Sequence, residues 1–414
     1  MNRRMSIYIH IPFCVKKCGY CDFLSFPVGD CGNGTAAIPD GSSKCGVPEK
    51  YLQRLFGEIR QESGDYADRE VDTIFVGGGT PSLLLPRQVA ALFDRVYQSF
   101  HVASDAEITI EANPGTLSKE KLKVYRQVGI NRMSIGLQSA DDGELAALGR
   151  IHRFSDFEKN FELARDCGFQ NINIDLMSGL PGQSVESWLY TLHTAAGFDA
   201  EHISAYGLII EEGTPFYQQY GVGSAAVGKD HEKLPSEEAE RQMYHETGEV
   251  LERFGYQQYE ISNYAKRGYE CRHNIGYWIR KEYVGFGLGA ASMINNIRWK
   301  NTSDLKKYMK NTDGRDGSGG KGAIMESAGA LKEEVQTLTL QEQMEETMFL
   351  GLRMNQGVSK REFEMLYGVG IEMLYGAWIH KMTAEELLLD GDRIYLSERG
   401  RDLANYVMAG FLQG

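Results

Sequence analysis

The chain has 414 residues, 42% hydrophobic and 24% charged, a balance near the globular average that excludes global disorder and fibrous architecture. Lys and Arg number 44 against 57 Asp and Glu, a net charge of −13, which argues against a nucleic-acid-binding or anionic-membrane role. The opening MNRRMSIYIHIPFC lacks an apolar signal core and a small-residue cleavage site, and no run of 18 uninterrupted apolar residues occurs. The expectation is therefore a soluble, cytoplasmic protein with no membrane insertion.

In chain order, strand alternates with helix. Residues 6–10 (SIYIH) predict a first strand, which leads into Cys14, Cys18 and Cys21. Residues 27–47 are rich in Gly and Pro, carry Cys31 and Cys45, and read as a mobile loop. Residues 73–76 (TIFV) run into Gly77-Gly78-Gly79-Thr80-Pro81-Ser82, and 107–112 (EITIEA) into Asn113-Pro114-Gly115. Residues 132–137 (RMSIGL) run into Gln138-Ser139, and 171–177 (NINIDLM) into Ser178-Gly179-Leu180-Pro181-Gly182; 202–208 (HISAYGL) is the sixth run. Helical patterns cover 48–63, 86–100, 118–128, 155–167 and 186–198. Ser118 reads as an N-cap, and Ser155 with Glu158 as a capping box. Such alternation implies an α/β fold of parallel strands with right-handed crossovers. Six units suggest a partial (β/α)6 barrel, which gathers ligand groups at the C-terminal strand ends.

Residues 313–332 read as a second Gly-rich loop. Beyond it, 339–355, 359–367 and 371–381 look helical, 393–396 is a short strand, and 397–411 is a helix started by Ser397. This predicts a small C-terminal helical domain resembling a winged helix. It carries no basic run, so it reads as a packing or lid module and not a DNA reader. The expected division is 1–235 for the barrel with its cysteine loop, 236–312 for a barrel-completing segment, 313–332 for the loop, and 333–414 for the C-terminal domain.

Seven cysteines, an odd count in a chain read as cytoplasmic, do not suggest a disulfide framework. Cys14, Cys18 and Cys21 form C-x-x-x-C-x-x-C. Thiolates select iron–sulfur clusters or zinc. Three cannot close a tetrahedral zinc site, although His10 or Cys31 would supply a fourth ligand. On a 4Fe–4S cube, three cysteines leave one iron open to an outside ligand. S-adenosylmethionine offers an amine and a carboxylate to such an iron. The strand ends carry groups suited to it. Gly77, Gly78 and Gly79 permit close backbone approach. Glu111 and Asp175 accept from hydroxyls or the amine, Arg150 pairs with a carboxylate, and Gln138 both donates and accepts. Tyr8 and Tyr20 flank the cysteine loop. Taken singly, each acid reads as a salt-bridge partner and each Tyr as core; their joint placement at successive strand ends favours a site.

Together, HIPFCVKKCGYCDF, FVGGGTPS, IEANPG, RMSIGLQS, LGRIH, NIDLMSGLPGQ and RHNIGYW resemble the radical S-adenosylmethionine family that contains oxygen-independent coproporphyrinogen III oxidase. The fold implied is the radical-SAM partial barrel. The resemblance implies that Cys14, Cys18 and Cys21 hold a 4Fe–4S cluster. It puts Tyr8, Tyr20, Gly78, Gly79, Thr80, Glu111, Gln138, Arg150 and Asp175 at S-adenosylmethionine positions. The oxidase branch carries a further cysteine where this chain has Phe23, whereas a heme-chaperone branch has Phe there and an H-N-x-x-Y-W motif, here His273 to Trp278. The heme-chaperone branch is therefore expected, with heme as cargo, hemoproteins such as respiratory enzymes as acceptors, and a homodimer as one state to test. The alternative is radical decarboxylation of coproporphyrinogen III. His273, Tyr277 and Trp278 are the heme candidates, since imidazole ligates heme iron and aromatic rings stack on porphyrins. Cys271 is a rival ligand. The competing structural reading makes His273 a turn cap and Tyr277 and Trp278 core.

Overall fold

The strand sequences carry buried apolar side chains at alternate positions, as Ile7, Ile9 and Ile11, Ile108 and Ile110, and Met133, Ile135 and Leu137 show. Arg132–Gln138 is buried throughout its seven residues. In the computed structural model, which describes residues 3–28, 47–221, 233–310, 331–383 and 385–412, six such strands lie parallel. They are β1 (Arg3–Ile11), β2 (Arg69–Gly78), β3 (His101–Ala112), β4 (Arg132–Gln138), β5 (Ile172–Ser178) and β6 (His202–Gly207), paired in that order. Helices Glu49–Glu62, Pro86–Ser99, Lys119–Gln127, Phe154–Asp166 and Val185–Gly197 connect them. The architecture is the partial (β/α)6 barrel. β2 and β3 each begin at least four residues before the expected start, because their polar N-terminal halves still pair with a neighbour.

Six further strands continue the sheet to twelve. Beyond β6 lie β8 (Asn263–Ala265) and then β7 (Gln257–Glu260). Beyond β1 lie β9 (Tyr283–Phe286), β10 (Ala291–Ile294), β11 (Ile297–Asn301) and β12 (Lys332–Thr337). Only β9 joins its neighbour in parallel; the others pair antiparallel.

Ser118 caps its helix as expected, accepting from the Lys121 amide at 3.3 Å. The Ser155–Glu158 box is corrected. The helix begins at Phe154, and the Asp156 carboxylate accepts from the Arg153 amide at 3.0 Å. Phe154 N also donates to Asp142 at 2.8 Å. An anionic acceptor at the third helical position outcompetes a neutral hydroxyl.

The C-terminal domain has its own core, including Met348, Phe363, Tyr375, Ile394 and Phe411. Helices Leu340–Gly351, Lys360–Tyr367 and Ile371–Met382 pack with a sheet of Val358–Ser359, Arg393–Leu396 and Leu387–Asp390. The single helix expected over 397–411 is corrected: it divides at Leu403 into Glu398–Asp402 and Ala404–Ala409. The turn there brings Val407, Met408 and Phe411 into the domain core. Among the described residues, no helix is long and apolar enough to cross a membrane. Cys31, Cys45 and nearly all of both Gly-rich loops lie outside the described residues.

Candidate functional site

The ends of β1 and β2 are laced into one platform. Gly79 N donates to Ile11 O (2.9 Å) and Thr80 N to Phe13 O (2.8 Å). Phe13–Cys14 pairs with Phe26–Pro27, closing the cysteine loop on itself. Thr80 Oγ1 donates to Cys14 Sγ at 3.4 Å. Glycine at position 79 is a steric necessity, since a Cβ would stand 2.8 Å from Phe13 O and 3.0 Å from Cys14 Sγ. Gly78 has φ +114°, and a Cβ there would meet the His10 ring at 2.5 Å.

The second thiol joins a different group. Arg150 Nη1 reaches Cys18 Sγ at 3.8 Å, while Nη2 donates to Asn113 Oδ1 (3.0 Å) and Gly136 O (2.8 Å). Arg150 Nε is buried without a partner. Asn113 Nδ2 donates to Thr80 Oγ1 at 3.1 Å, so one side chain links the Cys14 and Cys18 groups. Tyr20 packs edge-on against Phe216 at 6.3 Å, beside Arg150 and Cys18. Cys21 N donates to Cys18 O at 3.3 Å. Gln138 takes φ +73° at the irregular end of β4, which sets its amide near Gly136 and Arg150.

All three thiols are free. Burial pushes the Cys14 and Cys21 thiols up, with Thr80 and Ser25 countering at Cys14. Iron reverses that balance by its own positive charge. The donor set therefore fits a cluster held by three thiolates. The zinc alternative through His10 does not fit: His10 Nε2 is bound to Leu24 O (2.8 Å) and Nδ1 to Tyr8 OH (3.0 Å). Among the described residues no three His, Cys, Asp or Glu side chains converge on a single-ion site; in a cube each thiolate takes its own iron.

Beside the platform is a cavity of about 230 Å³, lined by Tyr8, Gly78, Glu111, Asp175, His273 and Tyr277 among others. Phe23 stands at its mouth, 69% exposed. Glu111 Oε2 accepts from Gly78 N at 3.0 Å. Burial, then the nearby Asp175 charge, pushes the Glu111 carboxyl up to about 8, with the Gly78 amide opposing. Burial raises Asp175 too, against bonds from Ser134 Oγ (2.9 Å) and Asn173 Nδ2 (2.7 Å). Asn173 Oδ1 is bound to His202 at 2.6 Å. Asn113, Ser134, Asn173 and Arg132 were not singled out from the sequence. For Arg132, Ser134 and Asn173 the available signal was a polar side chain inside a strand with buried neighbours; Asn113 follows the end of β3.

The helix Arg272–Trp278 is anchored from β3. Glu107 accepts from Arg272 N and His273 N, each at 3.0 Å, a carboxylate on a helix N-terminus. The His273 ring binds Thr73 Oγ1 through Nδ1 (2.9 Å) and Tyr277 OH through Nε2 (3.1 Å). Burial, then Lys281 and Arg132, pushes His273 down to about 3, so the ring is neutral. Both ring nitrogens of the heme candidate His273 are engaged within the protein. Cys271 is fully buried against Glu107 at 3.6 Å, its thiol pushed up to about 12 chiefly by burial. Trp278 leaves this group altogether: the Arg353 guanidinium lies over it at 4.4 Å, and it lines a different cavity. The strand-end cavity thus gathers Tyr8, Gly78, Glu111, Asp175, His273 and Tyr277, while Cys14, Gly79 and Thr80 form a second group and Cys18, Tyr20, Gln138 and Arg150 a third.

Known proteins resemble this chain in sequence and fold. The family model for the Radical SAM superfamily matches residues 8–195, and that for the HemN C-terminal domain matches 338–403. The heme chaperone HemW of Bacillus subtilis is 36% identical over 409 residues, covering 98% of this chain and 99% of the relative. Heme chaperone HemW of Escherichia coli is 40% identical over 291 residues, 70% of each chain. Coproporphyrinogen III oxidase (HemN) from Escherichia coli, a solved radical SAM enzyme, superposes with a TM-score of 0.79 at 24% identity, over 99% of this chain and 90% of that one; it shares the fold. On the full-length identity, the chain belongs to the heme chaperone HemW family of the radical SAM superfamily.

Proposed function

We propose that the protein is a cytoplasmic heme chaperone. It holds a 4Fe–4S cluster and S-adenosylmethionine at the strand ends, binds heme, and passes heme to acceptor hemoproteins, respiratory enzymes among them. The full-length identity to chaperones of that name carries this reading. Cys14, Cys18 and Cys21 would hold the cluster, which supplies an open iron and electrons when bound. The other residues bind and orient. Gly78 and Gly79 let a ligand approach the backbone. Glu111, protonated at neutral pH with its carboxyl near 8, both donates and accepts toward ribose hydroxyls, and a neighbouring sulfonium would favour its charged form. Arg150 has a buried Nε without a partner to offer an anionic group. Phe23 at the cavity mouth, in place of the oxidase-branch cysteine, favours the chaperone over decarboxylation.

The test is anaerobic reconstitution with iron and sulfide, a heme titration, and an assay on coproporphyrinogen III with S-adenosylmethionine and reductant. The reading predicts saturable heme uptake and no vinyl product. Vinyl formation would establish the oxidase alternative, and absence of heme uptake would end the chaperone reading.

A further inference from the structure

A second cavity, about 930 Å³, lies where the C-terminal domain meets the end of the Arg272–Trp278 helix. One wall is Trp278, Ile279 and Met293; the other is Phe363, Met365 and Leu366 of helix Lys360–Tyr367. The two sides are pinned by Arg280, which donates to Glu346 (3.0 Å) and Tyr367 (3.2 Å). We propose that this groove, and not the strand ends beside His273, seats the heme. The inference rests on the heme reading above and assigns its binding site.

Size decides first. Pockets for ligands of drug size and larger run from about 300 to 1,000 Å³. The strand-end cavity holds about 230 Å³ and the groove about 930 Å³; only the groove takes a macrocycle without rearrangement. Surface chemistry agrees. Met365 and Leu366 are 70% and 69% exposed, an apolar wall that a flat hydrophobic ring would cover. Trp278 provides an aromatic face, and its buried Nε1 has no partner. Arg3 and Arg393 both line the groove, together with the exposed Glu362 and with Glu282, which is paired to Arg69. Arg3 donates to the Asn295 amide oxygen and Arg393 to Gly357 O, and neither makes an ion pair among the described residues. Two unpaired guanidinium groups match two propionates in an otherwise acidic protein. The Met365 thioether, a soft sulfur of a kind that ligates heme iron, stands at the wall. The H-N-x-x-Y-W motif then divides its work: His273 and Tyr277 fasten the helix to β2, and Trp278 faces the cargo.

The experiment is a heme titration of the full chain, followed by visible absorption, with Met365→Ala, Leu366→Asp and Met373→Asp. All three positions are exposed, Met373 at 82% and outside the groove, so each variant folds. Leu366→Asp is expected to weaken binding tenfold or more, Met365→Ala to shift the Soret band, and Met373→Asp to match the unaltered protein. Equal affinity and spectra for all three would overturn the assignment, as would loss of binding in His273→Gln with Leu366→Asp intact. If the unaltered chain takes up no heme, the chaperone reading itself fails; uptake with indifferent groove variants refutes the groove alone.

Discussion

Glu107→Gln is the sharpest structural perturbation available. The Glu107 carboxylate accepts from two amides of the motif helix at 3.0 Å each and lies beside the fully buried Arg132, on which Glu107 and Asp175 both act. An amide has one acceptor oxygen, so one helix N–H loses its partner, costing about 1–3 kcal/mol. Arg132 also loses one of two nearby negative charges. Removing the sole partner of a buried charge costs about 3–5 kcal/mol; with Asp175 retained, the lower end applies. The sum predicts destabilisation of about 4–6 kcal/mol, measured by urea denaturation at constant m-value. Exposed Glu49→Gln, at the first residue of helix Glu49–Glu62, serves as the control. A loss below about 1 kcal/mol for Glu107→Gln would refute the anchoring of this helix on β3.

Gly79→Ala should lower bound iron and sulfide after reconstitution while Gly64→Ala, where a Cβ meets nothing within 4 Å, leaves them unchanged; equal metal content in both would remove the steric argument, and the overpacking itself should cost about 1–3 kcal/mol. Glu111 has a folded-state pKa of about 8, above its ordinary value, so the native state holds a proton that the unfolded state releases. Its contribution to stability is present at acid pH and is lost as pH rises toward 8, by at most about 1.4 kcal/mol per pH unit. Glu111→Gln should flatten that decline in pH-dependent denaturation, leaving the part due to Glu58, raised to about 7 chiefly by burial; an unaltered slope would count against the burial argument. His273, held down near 3, acts in the opposite sense: stability should fall on acidification below about 6.5, as unfolded His binds protons the native ring refuses, and Thr73→Val should not restore it.

The barrel was legible because short β-rich runs, most with apolar residues at alternate positions, recur between helical patterns and end in turn residues. The glycine run and the carboxylates at those ends were legible for the same reason. Three features were not. The antiparallel strands from Gln257 to Asn301 are three to five residues long and gain their pairing from the existing sheet edges. The anchoring of His273 joins Glu107 to a helix 166 positions away, a contact no local pattern encodes. The start at Phe154 turned on competition between Ser155 and Asp156, settled by charge and by Asp142. The motif H-N-x-x-Y-W was visible as letters, but its division between two cavities depends on the seating of the C-terminal domain against Trp278.

Transfer of heme tests the central claim most directly. Heme-loaded, cluster-reconstituted protein is mixed anaerobically with a heme-free acceptor hemoprotein, and the spectra of donor and acceptor are followed together. The account predicts that the donor Soret band declines as the acceptor gains its own heme spectrum and activity, and faster than from free heme captured by albumin. Heme that stays on the donor, or reaches the acceptor no faster than from albumin, would contradict it.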